Sequence, residues 1–265
     1  SVILLFTIDL QAEAKAQSGV ARASTLLLIG ERNTDDPDRA VAHLTEAFHA
    51  DPTCIPAVEL AVGLLVTVGR GEAAVSLLEQ AIAVEANAAV VGSLHFRMGE
   101  VLEHTLGKPG KASESYAVAR NAEEGGGLAF EAEIRCLRAA GKHQAAVSHL
   151  QAAAAAASNP EESARLWMQS AVVLERNLGQ VSEALEAYKQ SGNASSLQPA
   201  ALDSWVSLAR ETGHPEATVE ALMAASSALP TTSGRVEAGY TAARIMVDVL
   251  GDAARAEPIL TQCME

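Results

Sequence analysis

Apolar residues in the segment 56–86 follow the spacing of one helix face in two consecutive runs, and glycines separate the runs. The first run predicts a helix from about Pro56, a residue favoured in a first helical turn, to about Val68. The second run predicts a helix from about Glu72 to about Val84. The segment is therefore predicted to form a hairpin of two helices.

The same pattern returns along the chain as a small residue, a large residue four positions later, and a small residue three positions after that. The step between copies alternates between a shorter and a longer length (34/38), and a regular period in this range is typical of helical solenoids. The first small position holds Ala40, Ala74, Ala112, Ala146, Ala184, Thr218 and Ala256. The large position holds Leu44, Leu78, Tyr116, Leu150, Tyr188, Leu222 and Leu260. The last position holds Ala47, Ala81, Ala119, Ala153, Ser191, Ala225 and Cys263.

A glycine stands five residues before the first small position in six of the seven copies, and Asp35 takes that place in the other. Glycine best accepts the left-handed conformation that ends many helices, so these residues are predicted to close each first helix, with Asp35 as a tolerated substitute. The six are Gly69, Gly107, Gly141, Gly179, Gly213 and Gly251.

The alternating step indicates a duplicated unit that contains two hairpins and has the length of the interval from Ala40 to Ala112. The longer hairpins need extra helix, extra loop or both, and we expect their first helices to be about one turn longer. The turn-forming stretches 121–127 and 191–199 are predicted to be loose joints between hairpins.

The order small, large, small, with glycine five residues earlier, resembles the tetratricopeptide repeat (TPR) family. The best single match is Ala40, Leu44, Ala47 and Pro52. In two first helices, residues also match the aromatic, small and large positions of the family before the closing glycine. They are Trp167, Ala171 and Leu174, and equivalently His95, Gly99 and Leu102.

The resemblance covers roughly residues 20 to 265 and implies one all-α domain. The expected fold is a right-handed superhelical solenoid of about seven antiparallel helix-turn-helix repeats. A partial helix at 1–17 is expected to precede them, and the chain is expected to be a fragment of a longer array. The expected repeats are approximately 20–54, 55–88, 89–126, 127–160, 161–198, 199–232 and 233–265.

The chain of 265 residues carries a formal net charge of −14. Nucleic acids and anionic membrane surfaces require clustered basic residues, so the sequence predicts neither as a partner. A partner with a basic patch fits better. No apolar run reaches the roughly 18 residues that span a bilayer, which argues against membrane insertion. The expected compartment is the cytoplasm, with a periplasmic or exported location as the alternative.

The sequence offers no arrangement typical of catalysis or of cofactor binding. The cysteines Cys54, Cys136 and Cys263 are far apart and are predicted to be small hydrophobic residues. No H-E-x-x-H or G-x-S-x-G motif occurs. The acidic turn 35–38 lacks the pattern of a calcium loop and is predicted to cap the helix that follows. We therefore expect no enzyme activity, no metal and no cofactor.

The resemblance implies that first helices line a concave groove. Phe96, Met168 and Tyr240 occupy the same place in successive duplicated units, and such side chains can anchor a peptide. The alternative is that they pack against the neighbouring hairpin. The arginines could receive carboxylates, or could pair with acids such as Glu100, Glu131 and Glu175. The predicted binding residues are Phe96, Arg97, Glu100, Arg135, Met168, Gln169, Arg176, Arg210, Tyr240 and Arg244, with Glu131, Val172, Asp203 and Ser207 on the same face.

The sequence thus predicts a non-enzymatic scaffold that binds a protein or peptide in this groove, or other copies of itself through open ends. The alternative is an architectural spacer in a larger assembly. A more remote alternative is a non-catalytic part of a multidomain enzyme.

Overall fold

The computed structural model describes residues 10–122, 126–194, 199–229 and 231–264, and these ranges contain helices and turns but no strand. Residues 10–16 are helical, and fourteen longer helices follow in the described chain. The all-α prediction is confirmed. The first compact unit, Ser1–Gly141, contains α1 (Gly19–Arg32), α2 (Pro37–Ala50), α3 (Ile55–Thr67), α4 (Gly71–Val84), α5 (Ala88–Glu100), α6 (Pro109–Ala122) and α7 (Gly127–Ala139). The second, Lys142–Glu265, contains α8 (His143–Ala156), α9 (Pro160–Val173), α10 (Val181–Ala194), α11 (Pro199–Glu211), α12 (Pro215–Ala228), α13 (Thr232–Asp248) and α14 (Ala253–Met264).

Within each compact unit, every helix packs on the helix before it and the helix after it in sequence. The repeated small and large positions form the centre of these contacts. All seven residues at the first small position are buried, because a small side chain there lets two helices approach closely. Leu44, Leu78, Tyr116 and Leu150 are each at most 1% exposed. The sequence pattern therefore marks the packing face of the second helices.

The period of the duplicated unit sets the helix starts. Four second helices begin at Pro37, Pro109, Val181 and Ala253, at equal intervals along the chain. The first helices α3, α7 and α11 have 13 residues each. In the longer hairpins, α5 and α9 are each extended by a five-residue π-helical turn, at Val101–Thr105 and Leu174–Leu178, and α13 has 17 residues. The longer hairpins thus contain longer first helices, as the sequence predicts.

All six predicted glycines have a positive φ and end first helices. After longer first helices, a backbone hydrogen bond that spans six residues closes the turn. The amide of Lys108 donates to the carbonyl of Leu102 at 2.7 Å, and the amide of Gln180 donates to the carbonyl of Leu174 at 3.0 Å. The expectation for Asp35 is wrong, because its φ is not positive. That turn closes instead through Asn33, whose amide donates to the carbonyl of Gly30 at 3.1 Å.

The acidic turn caps α2 as predicted, since the carboxylate of Asp36 accepts a hydrogen bond from the amide of Arg39 at 3.2 Å. The second predicted joint begins later than expected. Helix α10 continues to Ala194, and the buried hydroxyl of Ser191 donates to the carbonyl of Ala164 at 2.7 Å. The centres of both joints, 123–125 and 195–198, and the apolar segment 2–8 lie outside the described residues. Cys136 is buried, whereas Cys54 and Cys263 are half-buried.

Candidate functional site

The two π-helical turns each place a glutamate against a buried tyrosine of the following helix. In the first compact unit, the hydroxyl of Tyr116 donates to Glu103 at 3.0 Å. In the second, the hydroxyl of Tyr188 donates to Glu175 at 2.6 Å. The two pairs occupy the same place in successive duplicated units, although the second π-helical turn begins one residue later in the register. A buried hydroxyl needs such a partner, because an unpaired polar group is costly to bury.

The π-helical turns occur where the large position is tyrosine. Helices α2 and α14 carry Leu44 and Leu260 at that position. Their preceding first helices, α1 and α13, are described without a π-helical turn. The extra residue of a π-helical turn therefore accompanies the larger, polar side chain.

In the first compact unit, Arg135 of α7 completes the pair as a fork. Its Nε and one terminal nitrogen donate to the two oxygens of Glu103 at 2.6 and 2.7 Å. Hydrogen bonds from Arg135, and also from Tyr116 and Cys136, lower the pKa of Glu103 to about 2 against the opposing effect of burial. Burial and the neighbouring Glu103 raise the pKa of the Cys136 thiol to about 12, so this cysteine is an unreactive thiol at neutral pH.

In the second compact unit, a serine takes the place of this arginine. The position that corresponds to Arg135 in the next duplicated unit is Ser207, which is exposed. Burial, followed by the hydrogen bond to Glu175, raises the pKa of Tyr188, and a hydrogen bond with Ser204 of α11 opposes this shift. The carboxylate of Glu175 is thus held by one hydroxyl and is half-buried.

A second recurring feature is a groove between successive second helices, above the first helix that separates them. It has a volume of about 530 Å³ at α4–α6, about 610 Å³ at α8–α10 and about 420 Å³ at α12–α14. His95, Trp167 and Gly239 occupy the same position of the duplicated unit in the three grooves. Burial lowers the pKa of His95. These grooves were not predicted from the sequence.

The predicted binding residues divide into paired, partly buried and exposed side chains. Arg97 pairs with Glu100 at 2.8 Å, and Arg135 with Glu103. Phe96 packs edge-on against Tyr116 with ring centroids 5.3 Å apart, and Met168 packs against the core of the second compact unit. Gln169 is half-buried, and Tyr240 is 51% exposed. Arg176, Arg210 and Arg244 are exposed, and Arg244 lies 3.7 Å from Asp248.

The side-chain partners within these pairs were not predicted from the sequence. Glu175 was named only as a possible partner of an arginine, and neither Glu103 nor Glu175 was predicted to accept a hydrogen bond from Tyr116 or Tyr188. A usable signal exists, since the tyrosines and the glutamates recur together with the period of the duplicated unit.

Neither a metal site nor a membrane span is found in the described ranges. No group of three His, Cys, Asp or Glu side chains there is placed to hold a metal ion. None of the described helices combines the length and the apolar character that crossing a membrane requires.

Comparison with known proteins returns solved structures, while no family model and no curated protein matches the chain. PilW, a widely conserved type IV pilus biogenesis factor, is 16% identical over 80% of this chain and 96% of its own, with a TM-score of 0.38. The Cut9–Hcn1 hetero-tetramer of APC/C is 16% identical over 91% and 46%, with a TM-score of 0.39. The yeast Sti1 TPR2AB domain, in complex with pHSP90, is 16% identical over 93% and 100%, with a TM-score of 0.32.

TM-scores this low carry no information about a shared site or partner. The fold is established by the burial of the repeated small and large residues and by the packing of each helix on its neighbours in sequence. Each compact unit is a TPR-like array of packed helices.

Proposed function

We propose that the chain is a non-enzymatic scaffold that binds a protein or peptide through the exposed side chains of its first helices. One observation supports this most directly: Tyr240 is 51% exposed on α13, and exposed Arg244 follows it one turn later. Tyrosine and arginine are among the residue types most enriched at the energetic centres of protein interfaces. In the same compact unit, Arg176 and Arg210 are exposed on other first helices.

The charge of the chain suggests the kind of partner. With a net charge of −14, the protein attracts a partner segment that carries basic residues, and the attraction weakens as salt is added. The exposed arginines on the first helices can receive carboxylates of the same segment. We expect this interaction to take place in the cytoplasm.

Panning of a random peptide library on the immobilised protein tests the function. We expect enriched peptides to be basic and to lose about tenfold in affinity in Tyr240→Ala, a loss of roughly 1.4 kcal/mol. The matched control is Val249→Ala, because Val249 is similarly exposed at 64% and lies beyond the end of α13. The proposal fails if no peptide is enriched, or if the two substitutions weaken binding equally.

A second candidate is an architectural spacer. The equal intervals between the starts of equivalent second helices favour it. A spacer should tolerate Tyr240→Ala in its assembly but should fail when a whole duplicated unit is removed. Measurement of co-assembly with both variants in the native complex distinguishes the two functions.

A further inference from the structure

The two tyrosine–glutamate pairs differ in how many donors the carboxylate receives. Glu103 accepts the hydroxyl of Tyr116 and two N–H groups of Arg135. Glu175 accepts the hydroxyl of Tyr188 on Oε2, and within the described part of the chain it forms no ion pair. A carboxylate has about four acceptor positions, so Glu175 retains most of its capacity.

The difference arises from the residue that takes the place of Arg135. Helices α7 and α11 both have 13 residues and begin one duplicated unit apart, so Ser207 takes the place of Arg135. Ser204, one turn earlier on α11, contributes a hydrogen bond at Tyr188, which places this face of the helix beside the pair. Ser207 is exposed, and its side chain is too short to span the distance that the Arg135 side chain spans in the first compact unit.

We propose that Glu175 is the docking site for an arginine side chain of the protein partner, which takes the place that Arg135 holds in the first compact unit. This inference rests on the proposed function and names the chemistry that one part of the surface recognises. The exposed carboxylate of Asp203 on α11 adds negative charge to the same region. Arg176 is exposed, and in the described part of the chain it forms no ion pair with Glu175.

The site discriminates between cations through geometry. A guanidinium group is planar and presents two parallel N–H groups that match a carboxylate, as the 2.6 and 2.7 Å bonds of Arg135 show. A lysine ammonium is a point charge that is more strongly hydrated, and it cannot form the fork. The Tyr188 hydroxyl holds the carboxylate in place before the partner arrives, which reduces the entropy lost on binding.

An NMR titration of the isotope-labelled full chain at pH 7 tests the inference. The ligands are N-acetyl-arginine amide and, at equal ionic strength, the lysine and citrulline analogues. We expect saturable shifts of the Arg176, Ser204 and Ser207 amides with arginine, at least about threefold weaker binding of lysine, and no response to citrulline. Equal binding of lysine and arginine, or shifts spread over all acidic residues, overturns the inference.

Three substitutions and one control complete the test. Glu175→Gln should abolish the response, and Ser207→Arg should prevent it by restoring the internal pair. Arg135→Ser should create a second response, at Glu103. Glu183→Gln removes an equal charge from an exposed position of α10 and should leave the response unchanged. Persistence of the response in either Glu175→Gln or Ser207→Arg contradicts the docking site.

The peptides obtained by panning separate this inference from the proposed function. If they bind Glu175→Gln with the affinity of the natural chain, the scaffold function stands and the arginine docking site is wrong. If no peptide is enriched but the titration succeeds, the site exists and the proposed function fails.

Discussion

Glu103 is the residue at which burial, charge and hydrogen bonding are most closely connected. Its side chain is only 14% exposed, and it accepts hydrogen bonds from the hydroxyl of Tyr116 and from both arms of the Arg135 fork. Charge-assisted bonds of this kind stabilise a fold more than neutral ones do, because the buried carboxylate would otherwise lose its hydration without compensation. Glu103, Tyr116 and Arg135 therefore link the extended α5 to α6 and α7.

Substitution of Glu103 by Gln should lower the free energy of unfolding at pH 7 by about 2 kcal/mol, because the charge-assisted bonds to Arg135 are lost. The pKa of Glu103 falls from 4.5 to about 2 on folding, so the stabilisation is fully present above about pH 4.5. It should decline as the pH falls below that value and vanish near pH 2, because the unfolded chain binds the proton first. Urea denaturation at a series of pH values measures the difference.

Glu175→Gln serves as the control for the contribution of the arginine fork, since Tyr188 is the neighbour that donates to Glu175. We expect a loss of about 1 kcal/mol, typical of a single hydrogen bond. A loss equal to or larger than that of Glu103→Gln would show that the arginine fork contributes little stability.

At the scale of the element, glycine has two different roles in neighbouring positions. Gly69 has a φ of +74° and ends the hairpin turn between α3 and α4, where an L-residue would be strained. Gly63 lies inside α3, and a Cβ atom added to it would meet no heavy atom within 4 Å. The first glycine serves the turn, whereas the second weakens its helix without an evident packing reason.

Gly69→Ala should destabilise the protein by about 1 kcal/mol, because only the backbone conformation is penalised. Gly63→Ala should instead stabilise it by roughly 0.5–1 kcal/mol, because alanine loses less backbone freedom on helix formation. Thermal and chemical denaturation of the two variants should therefore move in opposite directions. Changes of the same sign would contradict the assigned roles.

At the scale of the whole molecule, the period of the duplicated unit predicts which deletions preserve the register. Removal of residues 127–198 places α11 after α6, in the position that α7 otherwise takes. Helices α7 and α11 each have 13 residues. We expect this shorter chain to keep its helical signal per residue in circular dichroism and to unfold cooperatively at a lower temperature, as repeat arrays do.

Removal of residues 127–159 is the matched control. It makes α9, which carries a π-helical extension, follow α6 where a shorter first helix belongs. We expect this variant to lose helical signal and cooperativity despite its smaller deletion. Equal behaviour of the two deletion variants would mean that the single hairpin, rather than the pair, is the repeating structural unit.

Much of the fold follows from local pattern. The first small position of every copy is buried, and the six glycines take the positive φ that the pattern predicts. The alternation of shorter and longer steps correctly indicates longer first helices in the longer hairpins. Asp35 does not take a positive φ, because its turn closes through Asn33, two residues earlier in the chain. The repeat boundaries, the right-handed sense and the groove remain predictions.

The sequence by itself determined the helices and their register, because the spacing of apolar residues and the helix-ending glycines act within a few residues of the chain. Tertiary structure alone decided the side-chain partners. The sequence left open whether Arg135 receives a ligand or pairs with an acidic residue, and it did not indicate Glu103, a residue of an earlier helical hairpin, as the partner. Such pairs form only when two helices pack, so the partial burial and the short distances that give them their strength arise in the folded chain.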